Sequence, residues 1–461
     1  MKTRLTRSTL AFSLLLLAVL LLGILVQRDP GQKTWPAMVL VLVTIGFLAT
    51  TLIPEYLTAL VFFILAMLSG TAPAGVVFSG FQSTAFWLVF GGLVIGVAVR
   101  KTGLGRRLAS TLGGRLSGSY FRLLAGMAAT GMCLSFIMPA AMGRVLLLVP
   151  IALSLAEHFG FESGSNGRKG LVLATIMGTY MPAFTVLPAN VPNMVLAGMA
   201  ENQFGTHLFY FSYLMHNFPV LGLVKTGVIV LVVAWICPDR IRTAHDGRSA
   251  VSSGAMQRSE LIVAAILSCL ILLWMTDSFH HISPAWIGLG GAVLLLFPGV
   301  GPVDTKDFLN LNIASLFFVA GVIGVGSLIQ HTGLSDLIGR RLIALIPLGK
   351  ESPFANYLSV AVATSFTGLF TTLPGVPAVM TPLCSEIAKA SGLSLDTVLM
   401  TQVVGFSIMA LPYQAPPLVV AMQAAGERVS GLAKPLLIMM LISYLGLVPL
   451  NFLWWRLIGA V

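Results

Sequence analysis

Residues 187–196 read LPANVPNMVL and residues 411–420 read LPYQAPPLVV, so Leu187, Pro188 and Pro192 recur as Leu411, Pro412 and Pro416 at a constant separation of 224. Each set lies inside a stretch otherwise apolar enough to cross a membrane. Proline removes a backbone donor and breaks a helix. In hydrocarbon the freed N–H and C=O groups are tolerated only where protein or a water-filled cavity satisfies them. One such break reads as a packing kink. Two at matching places in two halves of a chain demand a bundle built around both.

Composition says which solvent surrounds that bundle. Hydrophobic residues make up 57% of the 461 and charged residues 9%, against roughly 25% charged in an ordinary soluble domain. The expectation is an all-α polytopic integral membrane protein with about eleven transmembrane helices, without a separate soluble domain. The formal charge of +11 follows membrane topology instead of gathering on one soluble face, which argues against a nucleic-acid partner. Cys133, Cys237, Cys269 and Cys384 lack disulfide or metal spacing, and no metal, catalytic cluster or enzymatic cofactor is expected. The start MKTRLTR precedes an apolar run from Leu10 to Val26 without a small-residue cleavage site, which predicts an uncleaved first helix with a cytoplasmic N-terminus.

Spans near 35–52, 55–70 and 84–99 lead to the segment 100–122, with six basic residues and no acidic one, placed in the cytoplasm by the positive-inside bias. The apolar stretch 121–157, broken at MPAAMGR, is followed by a loop carrying Arg168 and Lys169. Both flanks on one side make it a re-entrant hairpin with its tip near 139–144. A broken helix over 170–199 and a span over 217–237 complete a first half, 1–237. A basic cytoplasmic linker, 238–259, separates it from a second half, 260–461. There, spans near 260–276 and 284–299 precede an echo: Gly91, Gly96 and Thr102-Gly103-Leu104 match Gly321, Gly326 and Thr332-Gly333-Leu334 at a separation of 230. A second hairpin over 354–390 with its tip at TTLPGVP, a second broken helix over 395–423 and a span over 433–455 follow. Counting crossings gives an inverted repeat with an external C-terminus in the plasma (inner) membrane. Arg340, Arg341 and Lys350 strain that count, because it puts them outside.

Paired broken helices, each preceded by a hairpin tip, are the sequence pointer to a secondary transporter with its site at the midplane. Half-helix N-termini there offer free N–H groups to an anion. The order of elements resembles the divalent anion/sodium symporter family over nearly the whole chain. That resemblance implies a homodimer whose transport domains move like elevators against a scaffold, carrying di- or tricarboxylates or sulfate with coupling sodium ions or protons. Family members show Ser-Asn-Thr at each tip about ten residues before a proline. Here Ala140, Ala141 and Met142 precede Pro150, and Thr372, Leu373 and Pro374 precede Pro382. The break motifs persist as Asn190-Val191-Pro192-Asn193 and Ala415-Pro416-Pro417-Leu418. The resemblance therefore assigns substrate contacts to Met142, Asn190, Asn193, Thr372 and Gln414, and cation contacts to Thr185, Ala189, Pro374 and Ala415. The diverged tips speak against standard two-sodium coupling.

Arg144, two residues past the first tip, carries a charge that costs several kcal/mol in hydrocarbon unless it faces a cavity. Its guanidinium fork matches a carboxylate or sulfate; the competing reading is a shallow tip from which it snorkels to the surface. The polar residues at the breaks have a competing role too, satisfying backbone freed by the prolines. Lys225 is read as snorkelling outward from a helix end, and His280 and His281 lack ligand spacing. None of the sixteen acidic residues falls at an expected midplane. This weighs against an ion antiporter of the same superfamily, the alternative class, which needs an intramembrane carboxylate.

Overall fold

The computed structural model describes residues 2–28, 33–50, 52–107, 119–241, 255–335, 337, 348–349 and 352–461. Most of the linker 238–259, the segment 108–118, and Asp336, Arg340, Arg341, Lys350 and Glu351 lie outside the described residues. The described chain is helical, without a strand. It runs α1 (Lys2–Arg28), α2 (Thr34–Thr50), α3 (Glu55–Leu68), α4 (Thr84–Thr102), α5 (Tyr120–Ile137), α6 (Ala141–His158), α7 (Asn166–Tyr180) and α8 (Val191–Phe204). Then come α9 (Tyr210–Ile236), α10 (Arg258–Met275), α11 (Pro284–Leu296) and α12 (Ile313–His331). The chain ends through α13 (Pro353–Thr367), α14 (Val376–Met380), α15 (Cys384–Ser391), α16 (Leu395–Phe406), α17 (Pro416–Ala424) and α18 (Val429–Leu457). Among the described residues seven helices are long and apolar enough to cross a membrane, and shorter apolar helices such as Glu55–Leu68 and Pro284–Leu296 accompany them.

Local signals set many of these boundaries. The hydroxyls of Ser83, Ser119, Ser165 and Ser394 accept backbone N–H groups at the starts of α4, α5, α7 and α16, the usual N-cap chemistry. The exterior carries Trp235, Leu272, Leu445 and Leu457, each at least two-thirds exposed, an apolar surface suited to lipid and not to water.

Packing crosses between the halves. α4 lies against α11, and α3 against α12. The echoed glycines are the contact points: a Cβ on Gly91 would stand 2.8 Å from the Gly288 carbonyl carbon, and one on Gly321 2.4 Å from the Ala59 Cβ. Nearer the breaks, α5 packs on α7 and α13 on α16. α6 meets α17, while α14 meets α8. Each hairpin's return arm thus rests on the second half of the other repeat's broken helix. Outside the core, Lys101 Nζ reaches Asp304 at 2.8 Å and Asp307 at 2.5 Å, and its ammonium holds the Asp304 carboxyl down to about 2.

The α5–α7 contact generates a test. A Cβ on Gly131 would fall 2.2 Å from Thr179 Oγ1 and 2.8 Å from its Cα, so Gly131→Val forces backbone apart and is expected to cost about 1–3 kcal/mol. Gly227 has open space around it, so Gly227→Ala should be neutral or stabilise by up to about 1 kcal/mol. Melting temperatures of the detergent-purified variants check this, and equal melting of both would refute the close packing.

Candidate functional site at the two helix breaks

At the first break α7 stops at Tyr180, and the chain passes through two tight turns, Pro182–Thr185 and Leu187–Ala189, before α8 starts at Val191. Pro192 stands in the first turn of α8, where no backbone donor is needed. Side chains take up the freed carbonyls. Asn193 Nδ2 donates to Ala183 O at 3.1 Å and Val186 O at 2.8 Å, the Thr185 hydroxyl donates to Pro182 O at 2.6 Å, and the Tyr213 hydroxyl to Phe184 O at 2.9 Å. Asn193 and Thr185 therefore spend their donors on the break itself.

The first hairpin turns through Met138–Ala140, and Arg144 lies on the first turn of α6. Its side chain is 0% exposed, which corrects the snorkelling alternative. Nη1 donates to Met138 O and, at 3.0 Å, to Ala189 O; Nη2 donates to Asn190 Oδ1 at 3.2 Å. One guanidinium thus ties the hairpin turn to the helix break. Its Nε and the Asn190 Nδ2 are buried without a hydrogen-bond partner among the described residues, and no described carboxylate pairs with the charge. Met142 is half-buried on the same turn. A Cβ on the next residue, Gly143, would stand 2.8 Å from Arg100 Nη1, so α4 also reaches this tip.

At the second break α16 ends at Phe406, Pro412–Gln414 forms a tight turn, and α17 starts at Pro416. Gln414 Oε1 accepts the Ala410 and Leu411 N–H groups, each at 2.8 Å, while Nε2 donates to Gly368 O in the second hairpin at 2.7 Å. The Tyr413 hydroxyl donates to Leu369 O at 2.6 Å. At the tip the Thr371 and Thr372 hydroxyls are buried without a hydrogen bond of good geometry. Thr372 faces Glu55, the first residue of α3.

Of the cation positions expected from the resemblance, Thr185 bonds within its own turn and the Ala189 carbonyl is taken by Arg144. Pro374 lies in the Leu373–Gly375 turn, and Ala415 O accepts the Leu418 N–H of α17 at 2.9 Å. No cluster of three or more His, Cys, Asp or Glu occurs among the described residues. Lys225 does not snorkel outward: its side chain is fully buried, mid-way along α9. Its ammonium is drawn inward by Ser407 O, a partner 182 residues away that no local signal announces. Glu55 and Arg100 were missed as well, since nothing in sequence brings α3 or α4 to a hairpin tip. A cavity of about 300 Å³ lies beside Leu187, lined by Thr84, Glu201, His207, His281 and Trp286 among others. It does not contain Arg144, so this space and the buried cation are separate places.

Apolar helices, two of them broken beside two hairpin turns, with a buried cation tying the first turn to the first break, are the architecture of a membrane transporter. The sodium:sulfate symporter transmembrane region matches residues 8–461, and the chain belongs to that family. Its members are transporters and not enzymes, so the chain is an integral membrane transporter of the anion-symporter class. A membrane protein of Cupriavidus necator is 25% identical over 85% of this chain and 79% of its own length. The sodium-dependent dicarboxylate transporter SdcS of Staphylococcus aureus is 22% identical over 72% of this chain and 70% of its own. Among solved structures, the YdaH transporter of Alcanivorax borkumensis shares the fold at a TM-score of 0.54, with 17% identity, 84% of this chain and 88% of that one covered.

Gln414 offers the direct test of how the breaks are held. Gln414→Leu leaves the Ala410 and Leu411 N–H groups and the Gly368 carbonyl unpaired, at about 1–3 kcal/mol for each buried group. Gln414→Glu keeps the acceptor and should lose less where its carboxyl is protonated, since only then can it still donate to Gly368 O. Thermal unfolding of the purified variants reads the difference, and a Leu variant as stable as wild type would refute the bridging role.

Proposed function

We propose that this chain carries small anions, di- or tricarboxylates or sulfate, across the plasma (inner) membrane by alternating access of elevator type. The observation that carries the reading is Arg144: a fully buried guanidinium without a carboxylate partner among the described residues, its Nε and the neighbouring Asn190 Nδ2 unengaged there. A desolvated charge costs several kcal/mol unless a counter-charge meets it. A dianion at the breaks supplies it, and the N-terminal end of α8 adds its dipole. Met142, Thr372 and Gln414 frame the same site from the two tips and the second break. The dicarboxylate named for the Staphylococcus aureus relative and the sulfate in the family's name are the substrates this chemistry accommodates.

The crosswise packing of hairpin arms and broken helices supports an inverted repeat of the halves 1–237 and 260–461 around the linker 238–259. With it go a cytoplasmic N-terminus, an external C-terminus and a homodimer held by scaffold helices. Arg144 fills the acceptors at the first break with its own charge, so sodium or protons couple elsewhere if they couple at all. A second reading, an ion antiporter of the same superfamily, rests on Glu55 facing Thr372; cation exchange without any anion requirement selects it.

Proteoliposomes should take up labelled succinate or sulfate, and uptake of neither with or without a sodium gradient refutes the anion reading. In binding to purified protein, Arg144→Gln should lose about 2–5 kcal/mol, at least about thirtyfold in affinity. Arg144→Lys should recover only part, because an ammonium lacks the planar fork. Near-normal affinity in Arg144→Gln would end the substrate role.

A further inference from the structure

A second buried cation stands at the other break. Lys225 lies mid-way along α9, directly after its π-helical segment Phe218–Val224, and its side chain is 0% exposed. Its Nζ donates to Ser407 O at 2.7 Å and to Ser407 Oγ at 3.3 Å. No described carboxylate pairs with it. Ser407 is the C-cap residue directly after α16, the first half of the second broken helix. A helix C-terminus presents unsatisfied carbonyls and a partial negative charge, so the ammonium sits where a cation is favoured.

The first half shows what would suffice if the carbonyl merely needed a donor. Ala183 precedes Ser407 by the same 224 residues that separate the prolines, and its carbonyl accepts the neutral amide of Asn193 at 3.1 Å. An amide meets the requirement without the several kcal/mol that burying an ion costs. The second break places a lysine on the corresponding carbonyl, which a purely structural cap does not require. Together with Arg144 on Ala189 O, each break carries one cation supplied by the chain.

We infer that Lys225 is a tethered cation at the second break, its ammonium holding the place of a dissociable coupling cation, so that anion binding there needs no sodium. The inference rests on the anion-transport reading above and deepens it. It assigns Lys225 a positioning role: it keeps the half-helix end positively charged and does not touch the substrate.

The test is calorimetric titration of the purified full-length protein with succinate and with sulfate, in sodium buffer and in choline buffer. Wild type should bind with affinities equal within about threefold in the two buffers. Lys225→Met, similar in bulk and uncharged, should weaken binding on the order of tenfold in both. In Lys225→Ala, sodium or ethylammonium should restore affinity that choline does not. Wild-type affinity that rises tenfold or more with sodium overturns the inference, and so does unchanged affinity in a folded Lys225→Met or an alanine variant that neither small cation restores. If neither variant can be purified folded, the wild-type comparison decides alone. Failure of wild type to bind either anion in either buffer is a different result, removing the anion reading and this inference with it.

Discussion

The guanidinium of Arg144 holds together the part of the molecule that everything else surrounds. It donates to Met138 O at the hairpin turn, and to Ala189 O and Asn190 Oδ1 at the helix break, so two irregular segments become one structure. Either segment alone would leave backbone carbonyls unpaired away from water, a cost that hydrocarbon does not relieve. The charge that joins them is itself desolvated, and under the proposed function an anion would relieve that cost where a neutral solute would not.

The breaks persist because distant elements satisfy them. Tyr213 from α9 reaches Phe184 O, Gln414 reaches Gly368 O in the second hairpin, and Lys225 reaches Ser407 O. Close crossings at Gly91 and Gly321 press helices of one half against those of the other. Since each hairpin arm rests on the opposite broken helix, under the proposed function the hairpins and broken helices would move together.

Much of this was legible in the sequence because it depends on local chemistry. The prolines at matching positions mark the breaks, and the repeated glycines fall at the close crossings. What was hidden depends on partners far away in the chain. α9 begins at Tyr210 because the Asp277 carboxylate accepts the Tyr210 and Phe211 N–H groups, and no local signal announces a cap supplied from more than sixty residues on. The burial of Lys225 was hidden likewise, since only the fold brings Ser407 O to it. Glu55 was hidden for the same reason, since only the fold brings the start of α3 to Thr372. Asn193 and Thr185 illustrate the converse: their polarity signalled a site, and their donors turned out to serve the backbone.

The central claim is that the uncompensated charge of Arg144 is met by the transported anion. A structure of the protein determined with saturating succinate, and another with sulfate, tests it most directly. The account predicts an anion at the breaks within hydrogen-bond distance of Arg144 Nε and Asn190 Nδ2, two buried donors at the first break that no described protein group engages. An anion bound only in the cavity beside Leu187, with Arg144 unchanged and out of reach, would contradict it.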